Sequence, residues 1–325
     1  MDNKNSVIVD TVTKLAKTYK EEPLFSPKTG KVLPQRDVII DILRDLRALI
    51  FPGYFSMDSC FGTFPEHYIG YHLNSLFDQL SKQIAISFQY TGEETYTAIK
   101  HAGEVTERFF EKIPVVQNML LKDVQAGFDG DPAAKSKEEI INSYPGLLAI
   151  YAYRIAHILY EEKVPFIPRI MTEYSHSRTG IDINPGATIG EYFFIDHGTG
   201  VVIGETTIIG NYVKLYQGVT LGALSTRKGQ LLSNVKRHPT IGNHVTIYSN
   251  SSVLGGDTQI GDYAIIGGNT FITESIPAYA KVSAKSPELV IKQSKPLDEN
   301  SIWEIVESDQ PNKCSECSLN KGIKK

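Results

Sequence analysis

The stretch IDINPGATIGEYFFIDHGTGVVIGETTIIGNYVKLYQGVTLG, residues 181–222, repeats itself every six residues. Ile183, Ile189, Ile195 and Val201 mark four steps; after a two-residue offset Ile203, Ile209, Leu215 and Leu221 mark four more. The ladder then breaks off, resumes at Ile241, Ile247 and Val253, slips by one, and runs on through Leu254, Ile260, Ile266 and Ile272. A period of six fits neither an amphipathic helix nor an alternating strand. It fits a solenoid whose short straight edges stack coil on coil, each turning one aliphatic side chain inward. Three such edges per coil give a triangular cross-section. The Gly and Asn residues that often follow an inward position are expected at tight corners, where positive φ is common. Between Gly222 and Thr240 the period fails, which predicts a loop thrown out from one corner; a longer loop there adds little closure entropy.

The rest of the 325-residue chain is long enough for at least one more domain. Apolar content of 41% and charged content of 22% are those of an ordinary globular protein. A net charge of −4 without a long basic run argues against nucleic acid or an anionic membrane as partner. The N-terminal MDNKNSVIVDTVTKLAKTYKEE has no apolar core of signal-peptide type, and no stretch approaches the length of a membrane span, so a cytoplasmic location is expected. Three cysteines, Cys60, Cys314 and Cys317, are too few for a disulfide framework, and the lone CxxC lacks the second ligand pair a structural zinc requires.

Residues 1–165 read as a helical domain. Ile39, Ile40, Leu43, Leu46 and Ile50 have helical spacing, with Asp37 as a candidate N-cap. His67 to Tyr90, Phe110 to Val124 and Leu147 to Tyr160 are further helices, separated by turn-like PGYF, YTGEE, GFDGDP and YPG. The segment 163–182, with two prolines, reads as the passage to the solenoid, which is assigned to 166–290. Residues 291–325 read as a polar, partly disordered tail with a short helix around Ser301–Ser308.

Three segments stand out against the ladder: DINPGATIG (182–190), DHGTGVVIGET (196–206) and KRHPTIG (236–242). Together with DGDPA (129–133) and AYRIAH (152–157), in this order and spacing, they resemble the serine O-acetyltransferases of the hexapeptide-repeat acyltransferase superfamily. The resemblance covers roughly residues 120 to 284. It implies an α+β fold, an N-terminal all-helical domain followed by a left-handed parallel β-helix. It also implies transfer of acetyl from acetyl-CoA to the L-serine hydroxyl, giving O-acetyl-L-serine and CoA on the route to cysteine, by direct attack without an acyl-enzyme.

Acetyl transfer to a hydroxyl needs a base, and imidazole, with an unperturbed pKa of about 6.5, suits that task. His197 is the expected base. Asp182 lies fifteen residues earlier, a little under one eighteen-residue coil, and is expected to hold one imidazole nitrogen as a stacked neighbour. By resemblance Arg237 and His238 take the substrate carboxylate, Asp196 and Asp131 take its ammonium, and Glu205 orients His238 from behind. The pantetheine arm of acetyl-CoA is expected along Gly222, Ala223, Ser249 and Gly267, with Lys285 at a CoA phosphate. No metal is expected.

This chain departs from the family pattern in three places. Asn184 stands in Asp-Ile-x-Pro where the family often has His. The loop 223–236 is longer than in the shorter relatives and lacks their glycine-rich character. The chain ends Lys324-Lys325 instead of in an aliphatic residue, so a sulfhydrylase complex by that route is not expected. The resemblance further implies a homotrimer or a dimer of trimers, and feedback inhibition by L-cysteine. The competing readings are a hexapeptide acyltransferase with a homoserine or sugar acceptor, and a γ-type zinc carbonic anhydrase built on His176, His197, His238 and His244.

Overall fold

The computed structural model describes residues 2–22, 32–55, 65–225, 227, 229–233 and 235–285. Cys60, Cys314, Cys317, the 301–308 segment and Lys324-Lys325 therefore lie outside the described residues. The chain divides into two compact units, Met1–Ala284 and Lys285–Lys325, and every element below belongs to the first. Its architecture is the expected one: helices first, then a parallel β-solenoid.

Seven α-helices are present among the described residues: α1 (Asp2–Glu21), α2 (Arg36–Ile50), α3 (Pro65–Thr91), α4 (Thr95–Gly130), α5 (Lys137–Ser143), α6 (Pro145–Glu161) and α7 (Ile167–Thr179). In α2 the expected stripe is buried, but Gln35 occupies the N-cap and Asp37 sits in the first turn. Helix α4 runs unbroken through Pro114, well beyond the expected 110–124 segment. A proline removes one i→i−4 hydrogen bond, and burial of Val105, Phe109, Val116 and Leu120 offsets that loss. The 163–182 passage is largely helix. In α7, Pro168 falls in the first turn, where its missing N–H costs nothing, and Gly180 closes the helix at φ 70°.

The solenoid makes five coils. β1 (Asp182–Ile183), β4 (Val202–Ile203), β7 (Thr220–Gly222), β10 (Ser252–Leu254) and β13 (Phe271–Ile272) form sheet A. β2 (Thr188–Ile189), β5 (Ile208–Ile209), β8 (Thr240–Ile241) and β11 (Gln259–Ile260) form sheet B. β3 (Phe194–Asp196), β6 (Lys214–Tyr216), β9 (Thr246–Ile247), β12 (Ile265–Ile266) and β14 (Lys281–Val282) form sheet C. The ladder residues of each sheet are buried and in register, as in Ile183, Ile203, Leu221, Val253 and Ile272. Leu254 is not a rung; it is half-buried beside Gly222.

The irregularities of the ladder are irregularities of corners. Asp182 pairs with Val202, Val202 with Thr220, Thr220 with Ser252 and Ser252 with Phe271, so successive coils take 20, 18, 32 and 19 residues. The two extra residues of the first coil lengthen the corner between sheets C and A, residues 197–201. The long insertion, 223–239, and the one-residue slip at Gly255 and Gly256 both fall between sheets A and B.

The expectation for the corners holds between sheets C and A, where Gly198, Gly200, Gly218, Asn250 and Asn269 have positive φ, and fails between sheets B and C. The glycines after the sheet B rungs are not among the positive-φ residues. They allow coils to touch: a Cβ on Gly210 would meet Asn243 Oδ1 at 2.7 Å, and one on Gly190 would meet Asn211 Oδ1 at 2.5 Å. The left-handed residues of the B-to-C corners are Tyr192, Tyr212, His244, Tyr263 and Tyr279, at φ between 55° and 62°. Their rings stack coil on coil, with centroids 4.3, 4.6, 4.6 and 5.0 Å apart. Stacking of this kind offsets the roughly 1–2 kcal/mol that a non-glycine residue loses at such φ.

One buried ion pair ties the helices to the first coil. Arg154 of α6 grips Asp123 of α4 through Nε (2.6 Å) and Nη2 (2.8 Å), and also donates to Gly190 O at 2.8 Å. Asp123 in turn accepts the Phe193 N–H at 2.9 Å.

Candidate active site

The lengthened C-to-A corner places His197 at φ 58° with its side chain 72% exposed. Asp196 ends β3 beside it, 3.8 Å from His197 Nε2. The Asp196 carboxylate is already paired with Lys214, 3.1 Å away on β6. Lys214 also donates to Gly130 O at 2.6 Å and lies over the rings of Phe194 and Tyr216. Burial works against its charge, but Tyr216 and Asp196 outweigh burial and raise its pKa.

Helix α4 ends at this corner. Asp131 is its C-cap; Oδ1 accepts the Ala133 N–H (2.8 Å) and Oδ2 accepts the Tyr144 hydroxyl (2.6 Å). The Tyr144 bond is the main reason the Asp131 pKa lies below the usual carboxylate value, and the same bond pushes the Tyr144 phenol up to about 12. Lys214 and His197 add to the Asp131 shift through their charge. The chain thus gathers Asp131, Asp196 and His197, as expected, and adds Lys214 and Tyr144. Neither was legible in the sequence: Lys214 occupies an ordinary outward strand position, and Tyr144 read only as a turn residue.

Asp182 borders the same corner, where Gly200 N donates to Gly180 O at 2.8 Å. Because the first coil has twenty residues, Asp182 stacks on Val202 and not on His197. It makes no hydrogen bond to His197; its partner is Arg169 of α7, at 3.6 Å. Arg169 also pairs with Glu173 at 2.5 Å. Among the described residues Glu173, His176 and Asp182 alone are spaced to hold a metal ion, and the Arg169 guanidinium already bridges their two carboxylates.

A second group occupies the A-to-B corner, across sheet A. Arg237 Nη2 pairs with Glu205, and Tyr160 of α6 donates to the other Glu205 oxygen at 3.0 Å. Burial works against the Glu205 carboxylate, but Arg237 and Tyr160 outweigh it and lower its pKa. Arg237 also donates to Leu232 O at 3.2 Å, which closes the loop on its own base. Lys236 Nζ donates to the carbonyls of Thr206 (2.7 Å), His238 and Pro239 (3.2 Å). His238 is 7% exposed, and its pKa is lowered to about 4, first by burial and then by Arg237. Glu205 orients Arg237 and makes no hydrogen bond to His238; the residue that holds the His238 ring is Thr206. Asn184, at this corner one coil below, accepts the Gly186 N–H at 2.9 Å in a turn.

The proposed donor track is divided. Ala223 and Arg237 line a cavity of about 540 Å³ under the insertion, together with Leu224, Gly255, Gly256 and Thr258. Gly222 leads into it at the end of β7. Ser249 and Gly267 sit at C-to-A corners, across sheet A, where a Cβ on Gly268 would meet Ser249 O at 3.1 Å. Lys285 is the first residue of the second unit. The histidines His176, His197, His238 and His244 stand on α7 and on three different corners, so within one chain they form no three-histidine set.

No family model matches the chain. A plasmid-borne serine acetyltransferase of Synechococcus elongatus is 43% identical over 261 residues, 77% of this chain and 82% of its own length. Among solved structures, serine acetyltransferase isoform 3 of Entamoeba histolytica in complex with cysteine has a TM-score of 0.68 at 33% identity, covering 89% of this chain and 96% of that one. Serine acetyltransferase 1 of the same organism, in complex with L-cysteine, has a TM-score of 0.67 at 39% identity, covering 74% and 86%. With the helices, the five-coil solenoid and this extent of identity, the chain belongs to the serine acetyltransferase family of acyltransferases.

Proposed function

We propose that the chain transfers the acetyl group of acetyl-CoA to the hydroxyl of L-serine, with His197 as base. The carrying observation is the lengthened corner, which exposes one imidazole beside Asp196 and Asp131, two carboxylates suited to an amino-acid ammonium. His197 takes the hydroxyl proton as the serine oxygen attacks the thioester carbon. The tetrahedral oxyanion collapses with rupture of the C–S bond, and the imidazolium returns its proton to the departing thiolate. Asp182 supports the imidazolium once its carboxylate turns from Arg169 toward the corner.

The carboxylate side of the site, Arg237 and His238, lies at the other edge of sheet A. A second copy that set its A-to-B corner against the C-to-A corner of the first would complete the site and join the divided acetyl-CoA track. This supports a trimer with sites between chains, the helical region contributing Asp131. Cysteine, which shares the ammonium and carboxylate of serine, is proposed to compete at the same place.

The test is a thiol-release assay with acetyl-CoA against serine, homoserine and sugars, with added cysteine, on wild type and His197→Ala. Turnover with serine alone, inhibited by cysteine and abolished in a variant that still binds acetyl-CoA, is expected. Near-normal turnover by His197→Ala sinks the base assignment.

A further inference from the structure

The hydrogen bonds around His238 determine which of its nitrogens carries the proton. Thr206 Oγ1 accepts two backbone N–H groups, from Arg237 at 3.0 Å and His238 at 3.1 Å. A hydroxyl has two lone pairs and one hydrogen. With both lone pairs engaged, its hydrogen points to the remaining neighbour, His238 Nδ1, at 2.9 Å. The Thr206 backbone N–H, which only donates, reaches the same Nδ1 at 3.0 Å. Two donors converge on Nδ1, so Nδ1 is the acceptor nitrogen and the neutral ring carries its proton on Nε2.

The Nε2 edge has no hydrogen-bond partner among the described residues, although the residue is 7% exposed. It lies over Gly204, where a Cβ would fall inside contact distance of both Cδ2 and Nε2. Nε2 is not one of the fully buried atoms that lack a partner, so this edge stays open to an acceptor that enters the site.

We propose that Thr206 is a positioning residue that locks His238 as a neutral Nε2–H donor to an oxygen of the bound substrates. The consequence is a division of labour between the two histidines. Near neutral pH His238 does not act as a base, since Nε2 carries its proton and Nδ1 accepts from Thr206; His197 has no such clamp. A donor that stays neutral also gives a hydrogen bond to a carboxylate or a developing oxyanion without surrendering its proton. The charged groups facing the ring agree with this. Arg237 and Lys236 on the returning loop oppose protonation, and Glu205, held by Tyr160 of α6, favours it. Asp257 lines the neighbouring cavity with Arg237. Burial and the two cations prevail.

The role as substrate donor rests on the acetyltransferase reading; the tautomer does not. The experiment uses the full chain with ¹⁵N-labelled histidine, the His238 signals being identified by their loss in His238→Gln. Expected in wild type between pH 6 and 8 are a pyrrole-type Nε2 and a pyridine-type Nδ1. In Thr206→Val the tautomers mix and His238 titrates between pH 5 and 7. The acid limb of kcat/KM for serine gains a second ionisation, with a loss of about tenfold at pH 6 that is smaller at pH 8. Thr206→Ser restores spectrum and profile. A wild-type His238 that carries its proton on Nδ1, or is charged at pH 7, overturns the proposal, as does a Thr206→Val protein with unchanged spectrum and acid limb. Should Thr206→Val not fold, the wild-type spectrum alone decides. A chain with the Nε2–H spectrum but no serine acetylation keeps the lock and refutes the functional reading.

Discussion

Replacing Asp123 by Ala removes one half of a buried ion pair and strands the other. Arg154 loses the bonds at 2.6 and 2.8 Å and keeps Gly190 O at 2.8 Å and Ile189 O at 3.4 Å. The side chains are 3% and 0% exposed, so water does not replace the carboxylate. The Phe193 N–H loses its acceptor as well. Breaking such a pair costs about 3–5 kcal/mol, and the orphaned N–H places this site toward the upper end. That is a large share of the roughly 5–15 kcal/mol that holds an ordinary domain together. The double variant Asp123→Ala/Arg154→Met removes the stranded charge and is expected to regain about 2 kcal/mol. The assay is urea unfolding followed by far-UV circular dichroism at fixed protein concentration, since self-association shifts the midpoint. Asp131 lies two turns further along α4, about 12 Å away. Loosening α4 from the first coil is therefore expected to raise KM for serine more than KM for acetyl-CoA. A cost below about 1 kcal/mol for Asp123→Ala, or a double variant no more stable than the single one, refutes the reasoning.

Two further outcomes follow from the A-to-B corner. Gly204→Ala places a methyl group against the His238 ring; the ring must leave Thr206, and kcat/KM for serine is expected to fall about 100-fold, whereas near-normal kinetics would mean that the ring has room to spare. His238 also makes stability depend on pH. Its folded pKa of about 4 lies below the ordinary value of 6.5, so the unfolded chain takes up the proton first as pH falls. The contribution is whole above about pH 6.5 and is lost toward pH 4, on the order of 3 kcal/mol. His238→Gln should flatten that part of the profile in thermal melts taken across it.

The solenoid was legible because an inward side chain every six residues is a direct image of an edge and a corner. Its three interruptions were legible as places where the core makes no demand, and all three proved to be corners beside the candidate site. What stayed hidden was what the corners use. The positive φ of Tyr192, Tyr212, His244, Tyr263 and Tyr279 is stabilised by rings one coil away, a contact that local propensity does not encode. The full length of α4 was hidden by Pro114, whose local penalty is outweighed by distant packing. Asp182 was placed against His197 as lying a little under one eighteen-residue coil away; the two residues that lengthen the His197 corner widen that offset, so Asp182 stacks on Val202. Asp131, Asp196, His197, Arg237 and His238 are candidates through the motifs that resemble those of a family. Lys214, Tyr144, Arg169 and Thr206 belong to no such motif and emerge only from contacts.

The ring stack on the B-to-C corner gives the molecule an order of dismantling. Each coil of a solenoid is held by its neighbours alone. The first coil is covered by α4, α6 and α7, whereas Tyr279, the last rung, is 76% exposed and has one ring partner. Fraying therefore starts at the last coil and climbs. Gly267 and then Ser249 loosen while the His197 corner still stands, so, with the donor track proposed above, a chain under thermal stress is expected to lose acetyl-CoA binding before serine binding.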